Sequence, residues 1–109
     1  MRFPRESKAR ALQLRALELA ARIVVLSRAL PRTDEARIIR SQLLRSATST
    51  AANYRSACRA QSANAFVAKL SIALEEADEV VLWLRLLVRV GLAAKQDVRP
   101  LIIEADELV

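Results

Sequence analysis

The chain is predicted to fold as an antiparallel up-down four-helix bundle, all-α, with three long helices and a shorter C-terminal one. Three observations predict it. Apolar residues recur at alternating spacings of three and four, which winds one apolar stripe along each helix. Helix breakers are scarce, one Gly and three Pro, which argues for long helices and short connections. At 109 residues with 53% hydrophobic content, the chain suffices for one domain, residues 1–109, whose core needs no metal or disulfide staple.

The first helix is expected over residues 7–30, with Ala9, Leu12, Ala16, Leu19, Ile23, Leu26 and Leu30 as its buried stripe. Pro31 ends it, because the residue before a proline resists helical geometry. Thr33 or Asp34 caps the second helix, which continues to about Ala60, and Asp34 and Glu35 suit its positive end. Ser62 caps the third helix, which runs to Val90 with Ala63, Phe66, Leu70, Ala73, Ala77, Val80, Leu84 and Leu87 along one face. Gly91, the only glycine, stands where a left-handed C-terminal cap is wanted. The fourth helix is assigned Asp97 as its N-cap, which puts Pro100 in the first turn, where a missing N–H costs nothing. It runs to the C-terminus with Leu101, Ile102, Ala105 and Leu108 on its apolar side. Three matched rods joined by short turns stack up-down-up, and the short fourth rod covers part of the remaining seam.

The composition argues against common catalytic chemistry. There is no histidine, hence neither the usual acid–base group nor the usual metal ligand. No Gly-rich phosphate loop, Cys/His metal set or nucleophile–base pair is present. A non-enzymatic protein without cofactor, metal or small-molecule substrate is expected. Cys58 stands alone and reads as a small packing residue in a reducing cytosol. Residues 1–5 lack an apolar signal core, and the most apolar run, residues 80–94, is cut by Arg85 and Arg89. A soluble, cytoplasmic protein is the expectation.

The second helix differs from its neighbours. Its apolar face is thin: Ala36, Ile39, Leu43, Ala47, Ala51, Tyr54 and Cys58. Beside it runs an uncharged polar stripe, Gln42, Ser46, Ser49, Asn53 and Ser56. One reading is a solvated Ser/Thr face. The other is a subunit interface, since neutral polar groups desolvate more cheaply than charges and this stripe carries no charge over its central turns.

Net charge is +6 and unevenly placed: residues 1–60 hold thirteen Lys/Arg against four acids, residues 61–109 five against eight. Fifteen of the eighteen cations are Arg, whose fork suits phosphates and carboxylates alike. Lys8, Arg15 and Arg22 form a strip at seven-residue spacing, and Arg37, Arg45, Arg55 and Arg59 flank the second helix. Such strips are either solvated and salt-bridged or phosphate-binding. In the second case Arg15, Arg22, Arg37, Arg55 and Arg59 are the nucleic-acid-binding candidates, contacting phosphates without reading sequence. On the third helix, Glu76 and Glu79 lie three apart beside the core. They are expected to form a structural ion pair with Arg45 or Arg55, and Trp83 to sit at the core edge with its indole N–H partnered.

The stretch Gln42-Leu-Leu-Arg-Ser-Ala-Thr-Ser-Thr-Ala-Ala-Asn-Tyr-Arg-Ser-Ala57 resembles a known family. It is similar to the pattern Q-L-x-R-[SA]-x-x-S-x-x-A-N-[YI] of the four helix bundle proteins first noticed as products of intervening sequences within bacterial large-subunit rRNA genes. A second block, Ser62, Phe66, Lys69, Ile72, Glu76, Glu79, Trp83 and Leu84, looks like S-x-x-x-F-x-x-K…E-x-x-E-x-x-x-W-L of one branch. The resemblance covers roughly residues 12–92. It implies a four-helix bundle and, for some relatives, a ring of five protomers. A related branch, the accessory proteins of diversity-generating retroelements, implies a basic pentameric surface that binds a reverse transcriptase and nucleic acid.

The expectation is therefore a self-assembling bundle, a pentamer favoured, that binds structured RNA or a nucleic-acid-handling protein and no membrane. The alternative is an oligomeric scaffold for a protein partner. Its apolar groove would be left open by the short fourth helix.

Overall fold

A computed structural model describes the backbone of residues 4–108 and the side chains of residues 8–108. Residues 1–3, part of the segment weighed as a leader, and residue 109, assigned to the last helix, lie outside the described residues. The chain forms four helices, α1 (Pro4–Arg28), α2 (Asp34–Cys58), α3 (Ala63–Arg89) and α4 (Lys95–Leu108), with no strand among the described residues. α1 packs on α2 and α4, and α3 packs on the same two, while the diagonal pairs stay apart. The helices thus occupy the corners of a square, each antiparallel to its neighbours, in a body 49 × 22 × 18 Å.

The helix boundaries follow from local chemistry. Thr33 accepts from the Ala36 amide (3.3 Å) and Ser62 from the Ala65 amide (3.1 Å), so each hydroxyl satisfies an otherwise free N–H. Helix α1 stops at Arg28. The amides of Ala29 and Leu30 turn back to Leu26 and Ser27, and this tighter turn carries Leu30 into the core before Pro31. At the end of α3, Leu92 donates to the Leu87 carbonyl (2.8 Å) and Gly91 to that of Val88 (3.1 Å), a Schellman closure. It needs the positive φ of +79° that Gly91 adopts.

The start of α4 corrects the sequence expectation. The helix begins at Lys95 rather than after Asp97, because the Ala94 carbonyl already accepts from the Asp97 and Val98 amides. Asp97 therefore favours the helix dipole from within the first turn instead of capping it. Pro100 falls inside the helix. It cannot donate to the carbonyl of Gln96, a residue that is exposed and can bond water there instead.

The core runs the length covered by all four helices. Leu19, Ile23, Leu43, Tyr54, Val80, Leu84, Leu87 and Val98 are essentially inaccessible, and each buried aliphatic side chain contributes about 1.5–3 kcal/mol. Ala16, Ala47, Ala73, Ala77 and Ala105 are buried between them and allow the helices to approach. At 14 residues α4 spans about 21 Å against about 40 Å for α3. It therefore covers only the end of the bundle near the α3 C-terminus. Its last turn is fastened by Tyr54, whose hydroxyl donates to the Leu108 carbonyl at 2.5 Å. Beyond that point α3 buries little: Phe66 and Leu70 are half-buried, and its first fully buried residue is Ala73.

Candidate nucleic-acid interface

The groove between α2 and α3 holds a polar network that decides which side chains remain available. Antiparallel packing sets Arg45 opposite two successive turns of α3. Its guanidinium donates to Glu76 at 2.9 Å and to Glu79 at 2.8 Å. Of the two arginines considered for this role, Arg45 takes it, while Arg55 makes no ion pair among the described residues. The Glu76 side chain is 11% exposed, so Arg45 offsets a charge that would otherwise be stranded in the core edge. Gln42 accepts from Arg45 Nε, and Ser46 Oγ lies between Arg45 and Glu79.

This network bears on one member of the neutral stripe on α2. Ser46 is fully covered within one chain, so no second subunit is needed to keep it dry. Gln42, Ser49 and Asn53 are half-buried and Ser56 is exposed. Asn53 donates to the Ser49 carbonyl (2.9 Å) and hydroxyl (3.2 Å), and the buried Thr50 donates to the Ser46 carbonyl at 2.7 Å. Asn53 and Thr50 thus bond their own helix and α3 covers Ser46, so these groups are satisfied within one chain, while Gln42, Ser49, Asn53 and Ser56 keep exposed surface.

Trp83 is a second correction. Its indole N–H is buried without an acceptor. The ring packs against the core one turn past Glu79, where the neighbouring carboxylates are already engaged by Arg45.

The five arginines read as nucleic-acid-binding candidates fall into two groups. Arg15 is withdrawn: it reaches across to α4 and pairs with Glu104 and, at 3.0 Å, with Glu107. The hydrogen bonds it donates to Glu104 and then Glu107 hold its guanidinium still more firmly protonated than usual. Arg22, also on α1, is exposed and lines a shallow groove of about 390 Å³ with Glu18, Leu26, Asp97 and Leu101. The other three lie on the solvent side of α2. Arg37 pairs with Asp34 at 2.5 Å on a fully solvated turn, a contact of little energetic weight. Arg55 and Arg59 are exposed and make no ion pair among the described residues.

Arg10 on α1 joins this cluster. Its charge lies near enough to Cys58 to oppose the upward push that burial gives the thiol. Sequence reasoning missed it, because Arg10 comes near the C-terminal end of α2, at Cys58, only when α1 and α2 pair antiparallel. The flank so formed offers guanidinium forks to phosphate or carboxylate groups. No group of three His, Cys, Asp or Glu side chains that could hold a metal ion occurs among the described residues. Nor, among those residues, is any helix long and apolar enough to cross a membrane.

Fold and surface together define a small four-helix bundle with one cationic flank. The chain belongs to the 23S rRNA-intervening sequence protein family, whose model matches residues 10–109. Among solved structures it is similar to a protein of unknown function from the S23 ribosomal protein family of Bacteroides thetaiotaomicron. The two share 37% identity, over 93% of this chain and 90% of that one, at a TM-score of 0.85. No curated protein matches the chain.

Proposed function

We propose that the protein is a non-enzymatic, self-assembling helical bundle of the cytoplasm that binds structured RNA, or an RNA–protein complex, through arginine side chains. The observation that carries this reading is the α2 flank. Arg55 and Arg59 stand exposed and make no ion pair among the described residues, on the half of the chain that holds thirteen of its eighteen cations. The family's printed name, which refers to intervening sequences of 23S rRNA, supports the choice of RNA as the anion. Assembly would pool the charge, and five copies at +6 carry roughly +30, which raises the local potential seen by a polyanion. Contacts would be to phosphates, so affinity is expected to follow charge and shape rather than sequence.

A gel shift with structured RNA tests this. The shift is expected at 50 mM salt and should fade steeply by 200 mM as counterion release dictates. In the Arg55→Glu/Arg59→Glu variant the slope of log affinity against log salt should fall by about 2. Absence of any shift at 50 mM salt would remove the RNA reading.

The scaffold reading also has an observation in its favour. Leu14, Leu17 and Val25 on α1 are each close to 60% exposed. Binding that ignores salt would favour that reading.

A further inference from the structure

Charge is sorted along the long axis of the bundle. Arg45 facing Glu76 and Glu79 sets the register of α2 against α3, and Arg22 and Leu26 beside Asp97 and Leu101 set that of α1 against α4. These registers bring residues 28–40 and 85–99 together at the end where α1 turns into α2 and α3 into α4. Each helix contributes no more than about 10 Å of its length there. The first segment holds Arg28, Arg32, Arg37 and Arg40 against Asp34 and Glu35. The second holds Arg85, Arg89, Lys95 and Arg99 against Asp97. Eight cations thus stand with three acids, a net +5. Arg40 is half-buried and the other seven are exposed. Arg37 pairs with Asp34, and the rest make no ion pair among the described residues.

Beside this end lies an acidic waist. Arg15 and Arg45 each engage two carboxylates, but Glu18, Glu75, Asp78 and Asp106 are exposed and make no ion pair among the described residues. Past the waist the sign changes again, with Lys8, Arg10, Arg55, Arg59 and Lys69 toward the far end.

We propose that the loop end is a second RNA-binding surface, so that one chain bridges two duplex segments of structured RNA across a body 49 Å long. This rests on the RNA-binding part of the function proposed above and adds a surface separate from the α2 flank. Along α2 alone, Arg40 and Arg55 are about 22 Å apart.

The waist decides that the two ends take different segments. A duplex laid along the bundle would carry its phosphates past Glu18, Glu75, Asp78 and Asp106, which repel it from that path. Composition decides that the RNA is paired. Neither loop-end segment contains Phe, Tyr or Trp, so unpaired bases find no ring to stack on. What remains is contact from guanidinium forks to phosphates, which a duplex displays along its outside.

The test titrates an RNA hairpin against the full chain at 50 mM salt and counts hairpins bound per chain at saturation, a ratio that holds whatever the assembly state. The wild type should bind two. The Arg55→Glu/Arg59→Glu variant should bind one, through the loop end. Adding Arg32→Gln, Arg85→Gln and Arg89→Gln to that variant should lower the slope of log affinity against log salt by about 3. Lys at the same three positions should leave the slope unchanged, because the contact needs only the charge. Helical circular dichroism like that of the wild type shows that each variant is folded.

A wild type that binds no hairpin removes the RNA reading itself. A wild type that binds one hairpin per chain, or an Arg55→Glu/Arg59→Glu variant that binds none, overturns the second surface alone. So does a slope that the three Gln substitutions leave unchanged.

Discussion

Removing the Tyr54 hydroxyl should loosen α4 from the bundle. In the Tyr54→Phe variant the ring still fills its site, which is 1% exposed, so the perturbation is confined to one buried hydrogen bond. The partner left behind is the Leu108 carbonyl, one of the four that a helix C-terminus cannot satisfy within itself. Stranding a buried acceptor costs about 1–3 kcal/mol.

For a chain of 109 residues the unfolding entropy near the midpoint is about 0.23 kcal/mol/K, so a loss of about 1–3 kcal/mol lowers Tm by about 4–13 °C. Calorimetry or circular dichroism melts at pH 7 measure this directly.

The pH dependence adds an independent check. Burial pushes the Tyr54 hydroxyl above its ordinary value, because the phenolate would lose its hydration. A group whose folded pKa is raised stabilises the fold fully below its unfolded value and loses that contribution as pH rises through the folded one. The wild type should therefore lose stability above about pH 10 more steeply than Tyr54→Phe. A Tm within about 1 °C of wild type at pH 7, or parallel alkaline slopes, would show that the hydroxyl does not hold α4 as described.

Two other substitutions follow from the same reasoning. Arg45→Met should cost about 1–3 kcal/mol by urea unfolding, because it strands the nearly buried Glu76, while Glu79→Gln, at a side chain 42% exposed, should cost under about 1 kcal/mol; adding Glu76→Leu to Arg45→Met should recover part of the loss. Gly91→Ala should cost about 1–2 kcal/mol by the same measurement, entirely through the positive φ, since no atom lies within 4 Å of the added methyl; an unchanged midpoint would mean the turn re-forms without that conformation.

The bundle and its element order were legible because each signal was local. The core stripe of α1, the caps at Thr33 and Ser62 and the turn at Gly91 are all decided within a few residues of themselves. What depended on distant partners was not legible. Arg15 could not be told from a free cation until α4 brought Glu104 and Glu107 beside it, 89 and 92 residues on.

The α2 stripe was ambiguous for a different reason. Small polar side chains looked like candidates for a second subunit, but Thr50 and Asn53 donate to carbonyls one turn back, and α3 covers Ser46. A hydroxyl that bonds its own helix leaves no trace in the spacing. The outward stripe of α1 was available to the same periodicity search that found the core stripe. It went unread because Leu14, Leu17 and Val25 interleave with the residues that face inward. Pro100 misplaced the start of α4, since the rule for a first-turn proline holds only when nothing upstream nucleates the helix sooner, as Ala94 does.

The mismatch in length between α4 and its neighbours gives the molecule a strong end and a weak one. Where all four helices meet, opening a backbone amide requires undoing most of the core. Toward the α3 N-terminus, residues 63–72 have no fully buried side chain to hold them. Amide hydrogens there should exchange with solvent far sooner than those between Ala73 and Leu87, so that unfolding begins by fraying at that tip and travels along the rod.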